Sequence, residues 1–150
     1  MTENWISSQW DLWELFVGSF VSATLAPGGS EILLAYLLGV SEKSSWKLWL
    51  VATGGNTLGG ISSFVLGALV SRGYLTPEKI LADDNHKVLA CLHRWGVSVL
   101  LLSWLPVVGD TFCVLAGWLR LPMIASVIAM FVGKGLRYAG IVYLQSFVGF

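Results

Sequence analysis

Leu48 to Ser71 is a run of 24 residues without one charged side chain. As an α-helix it would reach about 36 Å, more than a hydrocarbon core of roughly 30 Å. It is the strongest candidate for a transmembrane helix in the sequence. Leu121 to Phe150, apolar except for Lys134 and Arg137, is the second. The rest of the chain is of the same kind. Its 150 residues are 55% hydrophobic and 12% charged, and that charged share is about half the usual one for a soluble domain. Such a shortage argues against a water-soluble enzyme with one buried core, and the hydrophobicity excludes disorder. Nine basic and nine acidic residues cancel, leaving no electrostatic footprint for nucleic acid. What remains is an integral membrane protein of one domain.

Two further apolar stretches are broken in the middle. Leu15 to Val40 is interrupted by Ala26-Pro27-Gly28-Gly29-Ser30-Glu31, and Trp95 to Leu119 by Pro106-Val107-Val108-Gly109-Asp110. Proline breaks the helix ladder and glycine permits a left-handed turn. The flanks of roughly 10 to 15 residues are too short to span alone and suit re-entrant segments. A re-entrant hairpin and a single Pro-kinked helix are the two readings of each stretch, and the hairpin is preferred. Non-helical backbone at membrane depth is tolerated only within protein or against a water-filled cavity.

At an offset of 79 residues Pro27 maps on Pro106, Glu31 on Asp110 and Gly54 on Gly133. The order is broken segment, full span, polar loop, broken segment, full span. With one span between them, two hairpins enter from opposite faces, which is an inverted-topology repeat. The expected fold is therefore an all-α integral membrane protein, with two re-entrant helical hairpins and two full transmembrane helices. Half 1 covers about 12–71, a polar connector 72–94 and half 2 about 95–150, within a single membrane domain 1–150.

The connector holds seven of the 18 charges and both histidines, His86 and His93. Thr76-Pro77-Glu78 resembles a helix start, so a short amphipathic helix is expected there. Its histidines, seven residues apart, suit a solvated face better than a metal site. Tryptophans gather near segment ends, as in an interfacial belt. The N-terminus lacks the positive region of a secretory signal, so Leu12 to Ala26 reads as mature structure.

Four ionisable residues fall where hydrocarbon is expected: Glu31, Asp110, Lys134 and Arg137. Each costs at least about 2.5–3.5 kcal/mol for Arg, Lys or Asp at a helix centre, so such residues face the protein interior or water and read as functional. Two acids and two bases balance, and pairing them is the least costly arrangement. Lys134 and Arg137, at i and i+3, share a helix face; Gly133 and Gly135 beside them permit close backbone approach. The structural alternative is that the pairs fix helix register and the acids cap the helices after each break. Functionally, Glu31 and Asp110 would be exchangeable acids coupled to substrate movement, and Lys134 and Arg137 would attract an anionic headgroup or phosphate.

Gly55, Gly59, Ser63, Gly67 and Ser71 recur at i+4, a stripe that lets membrane helices touch backbone to backbone. Together with the small size it motivates a homodimer. Asn56 is a polar amide on the same span that wants a partner. No zinc-protease, nucleophile-elbow or Walker motif occurs, and Cys91 and Cys113 form neither a CxxC pair nor a disulfide framework. No enzyme activity, metal or cofactor is expected.

Ser22-Ala-Thr-Leu-Ala-Pro-Gly-Gly-Ser-Glu31 resembles the first hairpin of the DedA family, whose eukaryotic relatives carry the VTT domain. Gly54-Gly-Asn-Thr-Leu-Gly-Gly60 is similar to its glycine-rich span. Leu101-Leu-Ser-Trp-Leu-Pro-Val-Val-Gly-Asp110 with Ala116-Gly117-Trp118 resembles its second hairpin, and Gly133-Lys-Gly-Leu-Arg-Tyr138 the closing helix of the YqaA-like bacterial branch. The resemblance implies a multi-pass protein of the bacterial inner membrane that moves phospholipids or polyprenyl-phosphate carriers, in some cases coupled to protons. Glu31 matches the acid after the family's first Pro-Gly turn. The family's arginines around the second proline are replaced by Ser103 and Gly109-Asp110, a loss that Lys134 and Arg137 would offset.

The first functional expectation is a translocase of phospholipid or lipid-phosphate, with membrane lipids and protons as partners. The alternatives are a proton-coupled exporter of a small cation or drug, and a non-transporting membrane scaffold. Arg72, Lys79, Lys87, Arg94 and Arg120 fall on one side against Lys43 and Lys47 on the other, which places the connector in the cytoplasm by the positive-inside rule.

Overall fold

The computed structural model describes residues 2–24, 29–40, 44–73, 90, 94–106 and 108–148, with side chains from Trp10 onward. These residues are almost all helical, with no strand among them. The elements are α1 (Thr2–Thr24), α2 (Gly29–Val40), α3 (Ser45–Gly73), a 3-10 helix (Gly96–Trp104), α4 (Val108–Trp118) and α5 (Met123–Val148). Pro27 and Gly28 lie outside the described residues, as do Cys91 and most of the connector, including Pro77, His86 and His93.

Two expectations about length are corrected. The segment before the first break is a 23-residue helix reaching back to Thr2, about 34 Å long, where a short flank was expected. Its longest charge-free run is the last ten residues, Leu15 to Thr24, because Asp11 and Glu14 occupy the turn before them. Among the described residues the helix both long and apolar enough to cross a membrane is α5, not α3. The 29 residues of α3 suffice in length, but Asn56, Thr57, Ser62, Ser63 and the glycines dilute its hydropathy. The small residues that make it a packing helix make it a weaker hydropathic signal.

The chain divides into two compact units that do not follow the halves of the sequence. Unit 1 combines residues 1–59 with 134–150, and unit 2 is 60–133. In unit 1, α2 turns back along α1. The Ser30 amide donates to Ser22 Oγ at 3.3 Å, and a Cβ on Gly18 would come within 2.8 Å of the Leu33 side chain. A straight or kinked helix would hold residues 18 and 33 more than about 20 Å apart, so the kinked-helix reading of this stretch is excluded. Leu15, Leu34, Leu37, Leu48, Ala52 and Tyr138 close the core of this unit.

Unit 2 repeats the device. Leu105, ahead of Pro106, is extended (φ −72, ψ 131) and ends the 3-10 helix, as the residue before a proline must avoid the helical region. The chain then doubles back as α4, which packs against the 3-10 helix. A Cβ on Gly109 would lie 2.5 Å from the Ser103 carbonyl oxygen, so only glycine fits this corner. Val99, Leu100, Phe112, Cys113, Ala116 and Met130 are in its core. Buried Cys113 serves as a small apolar side chain, as a thiol in such a run usually does.

Beside these apolar cores, α3 and α5 turn their polar side chains inward and many large apolar ones outward. On α5, Ser126, Gly133, Lys134 and Tyr138 are buried, while Ile124, Ile128, Leu136, Leu144 and Phe147 are exposed. On α3, Thr53, Asn56, Thr57 and Ser71 are buried, while Leu58, Leu66 and Leu69 are exposed. In water such a surface would be an aggregation site; against lipid it is the favourable one. Trp10, Trp13, Trp46 and Trp95 are exposed, in keeping with an aromatic belt. Trp118 is buried instead, and Trp104, beside the second break, is half exposed.

Candidate functional site

Three side chains of α5 recur at i, i+3 and i+4, which places Lys134, Arg137 and Tyr138 on one face near the middle of a 26-residue helix. In unit 1 this face meets α2 and α3. Arg137 pairs with Glu31 through Nη2 and Oε1, and the two side chains are 10% and 33% exposed respectively. Glu31 stands in the first turn of α2, where a carboxylate is favoured by the unpaired amides and the helix dipole. Glu31 is thus both a first-turn acid and the partner of a cation.

Lys134 is 1% exposed. Its ammonium donates to the Asn56 backbone carbonyl at 3.1 Å and to Asn56 Oδ1. Asn56 Nδ2 donates in turn to the Tyr138 hydroxyl, which also shares a 2.7 Å hydrogen bond with Ser30 Oγ. The line continues through the Ser30 amide to Ser22 Oγ. One polar chain therefore links α1, α2, α3 and α5 at the depth of the charged residues. Each member is satisfied by its neighbour, as buried polar groups must be. The Trp49 indole N–H, bonded to the Gly135 carbonyl at 2.8 Å, fixes α5 against α3 about two turns before Asn56.

Asn56 thus finds the partners its position demanded. Tyr138, Ser22 and Ser30 are participants that the pattern of charges in the sequence does not single out. Tyr138 was detectable as the residue four places after Lys134, hence on its face. Of the four charges expected in hydrocarbon, Glu31, Lys134 and Arg137 are in unit 1. Asp110 is in unit 2, part-exposed in the first turn of α4. Gly29 opens α2 with free space around it, and Pro106 lies exposed at the second break.

The glycine stripe is occupied within the chain. In unit 1 a Cβ on Gly55 would lie 2.6 Å from the Phe16 carbonyl oxygen, and one on Gly59 would lie 2.5 Å from Ala23 Cβ. In unit 2 Gly67 abuts the Val114 carbonyl and Gly117 abuts that of Phe64, with Ser63 part-buried beside them. The stripe is the seam for α1 and α4, so it no longer motivates a dimer. The expected Gly54–Gly133 correspondence is not matched in packing: Gly133 is held against Ser103 and Leu101, whereas Gly54 has open space. Among the described residues, no group of three or more His, Cys, Asp or Glu side chains is placed to hold a metal ion.

No protein-family model matches the chain, and no solved structure does. Curated proteins do. It is 40% identical over 136 residues to the inner membrane protein YqaA of Escherichia coli (strain K12), covering 91% of this chain and 92% of that protein. YqaA of Shigella flexneri matches to the same extent. A Haemophilus influenzae protein without a functional name is 36% identical over 149 residues, covering 91% of this chain and 92% of its own length. Identity and coverage at this level show that the chain belongs to the YqaA family of bacterial inner-membrane proteins.

Proposed function

We propose that the chain moves an anionic lipid, a phospholipid or lipid-phosphate, between the leaflets of the inner membrane, with Glu31 as the exchangeable acid. The observation that carries this reading is the Glu31–Arg137 pair, in which the acid is the more exposed partner. A proton reaching Glu31 removes the negative charge and leaves a largely buried guanidinium without its counter-ion. A phosphate supplies the replacement, because its oxygens match the guanidinium fork. Lys134, held by Asn56 and one turn from Arg137, adds a second positive charge on that face. Loss of the proton restores the ion pair and expels the anion. A cation exporter is disfavoured by the same geometry, since the acid that would bind the cation is already occupied by Arg137.

In this reading the two doubled-back segments are re-entrant and opposed, as in the DedA family, and the protein is multi-pass. The short helices α2 and α4, of 12 and 11 residues, are about 18 and 16 Å long. That is roughly half a hydrocarbon core, so the acid in each first turn would sit near the midplane.

The test is leaflet exchange of a headgroup-labelled phospholipid in vesicles carrying the purified protein, with and without a pH gradient. Arg137→Met and Lys134→Met are expected to lower exchange at least tenfold. Glu31→Gln should leave exchange that no longer responds to the gradient. Wild-type protein that moves no labelled lipid in either condition would sink the proposal.

A further inference from the structure

In unit 2 an open groove of about 310 Å³ is lined by Phe64, Leu69, Leu121 and Met123 together with Arg72 and Arg120. That volume is at the lower end of ligand pockets, roughly 300–1,000 Å³. Leu69 and Met123 are each more than half exposed, so its apolar wall faces outward, where acyl chains would be. Both arginines belong to the side of the sequence richer in basic residues, and Arg120 is fastened to the end of α3. Its Nε donates to Ser71 Oγ at 3.0 Å and its Nη2 to the Ser71 carbonyl at 3.3 Å.

The backbone of Arg120 adds a separate observation. Its φ is +55, in the left-handed region that L side chains avoid. The Leu121 amide bonds the Ala116 carbonyl and the Arg120 amide bonds that of Gly117, both at 3.0 Å. This is the Schellman ending of α4, with Arg120 at the position glycine normally takes. A glycine would make the turn at lower cost, so the turn does not account for the arginine. A side chain kept where the backbone opposes it points to a role for that side chain.

We propose that this groove seats one anionic phospholipid, with its phosphate on Arg72 and Arg120 and the first part of an acyl chain along Leu69 and Met123. Charge complementarity selects the occupant: two guanidiniums above an apolar wall match a net-negative headgroup joined to hydrocarbon. With two of its five N–H donors on Ser71, Arg120 keeps others for phosphate oxygens. The site shares no residue with the Glu31–Arg137 pair. It requires residence in a membrane but not transport, so it stands or falls apart from the proposed function.

The experiment uses the full chain purified in detergent, with retained lipid read by native mass spectrometry against phosphatidylglycerol and phosphatidylcholine. Wild type should hold one phosphatidylglycerol in preference to phosphatidylcholine. Arg72→Gln and Arg120→Gly should each weaken phosphatidylglycerol retention about fivefold, the scale for one basic residue at an anionic surface. Phosphatidylcholine should be unchanged, and Lys47→Gln, in unit 1, should have no effect. Arg120→Gly should unfold close to wild type, because the ease of glycine in that turn offsets the two hydrogen bonds to Ser71 that it gives up; Arg72→Gln, outside the turn, tests the groove by itself. Equal retention of the two lipids by wild type overturns the proposal. So does undiminished phosphatidylglycerol in the double variant, or displacement of the lipid by inorganic phosphate alone.

Discussion

The polar chain through Asn56 makes a prediction that separates a working hydrogen bond from mere proximity. Asn56→Ala removes the amide that joins Lys134 to Tyr138. Interhelical hydrogen bonds in membrane proteins average about 0.6 kcal/mol in double-mutant cycles and reach about 1.7. An ammonium donor that is 1% exposed belongs at the top of that range, so about 1.5 kcal/mol is assigned to the Lys134–Asn56 term and about 0.6 to Asn56–Tyr138. Asn56→Ala should therefore destabilise the chain by about 2 kcal/mol. In a Lys134→Met background only the Tyr138 term remains, and the same substitution should cost about 0.6 kcal/mol. Lys134→Met alone has no fixed sign, since removing a buried charge also relieves its desolvation; the coupling is the quantity of interest. The assay is unfolding in mixed micelles titrated with dodecyl sulfate and followed by the fluorescence of the eight tryptophans. If Asn56→Ala costs the same in both backgrounds to within about 0.5 kcal/mol, the residues act independently and the polar chain has no energetic unity.

Two further outcomes follow from packing. Gly59→Ala should destabilise by about 1–3 kcal/mol, because the new methyl meets Ala23 Cβ at 2.5 Å and the Phe20 carbonyl oxygen at 2.8 Å. Gly54→Ala, five residues earlier with nothing within 4 Å, should be neutral or gain about 0.5–1 kcal/mol from lost backbone freedom; the same unfolding titration compares them. In a Cys91→Ser background, Cys113 should resist maleimide until the protein is denatured, because it is fully buried; labelling of the native protein would contradict the unit 2 core.

Much of the secondary structure was legible because each signal is local. Pro106 forces Leu105 out of the helix whatever surrounds it, and Glu31 and Asp110 fall in first turns because a break precedes each. Reversal, rather than a kink, was favoured by the Pro-Gly composition and is visible in the contacts of Ser22 with Ser30 and Gly18 with Leu33. The start of α1 was missed because a charged first half conceals a helix from any reading that runs between charges. The stripe on α3 was recognised as a seam, but its partner was misjudged. Small residues announce that something approaches closely, and carry no mark of whether it is another chain or α1 and α4 of the same one.

By itself, then, the sequence determined the solvent, the helices and the breaks. Charge density sets the cost of immersion in lipid, and proline and glycine act on the backbone within a turn of where they stand. It also placed Lys134 and Arg137 on one face, since helical spacing is a property of a single element. Only the tertiary structure decided that Glu31 belongs to Arg137, 106 residues away, and that Lys134 rests on Asn56. It likewise brought Tyr138 between Asn56 and Ser30. Those choices depend on which helices lie side by side and at what height. Several small contributions from packing surfaces fix that arrangement, and a count of charges summing to zero is satisfied equally well by any pairing.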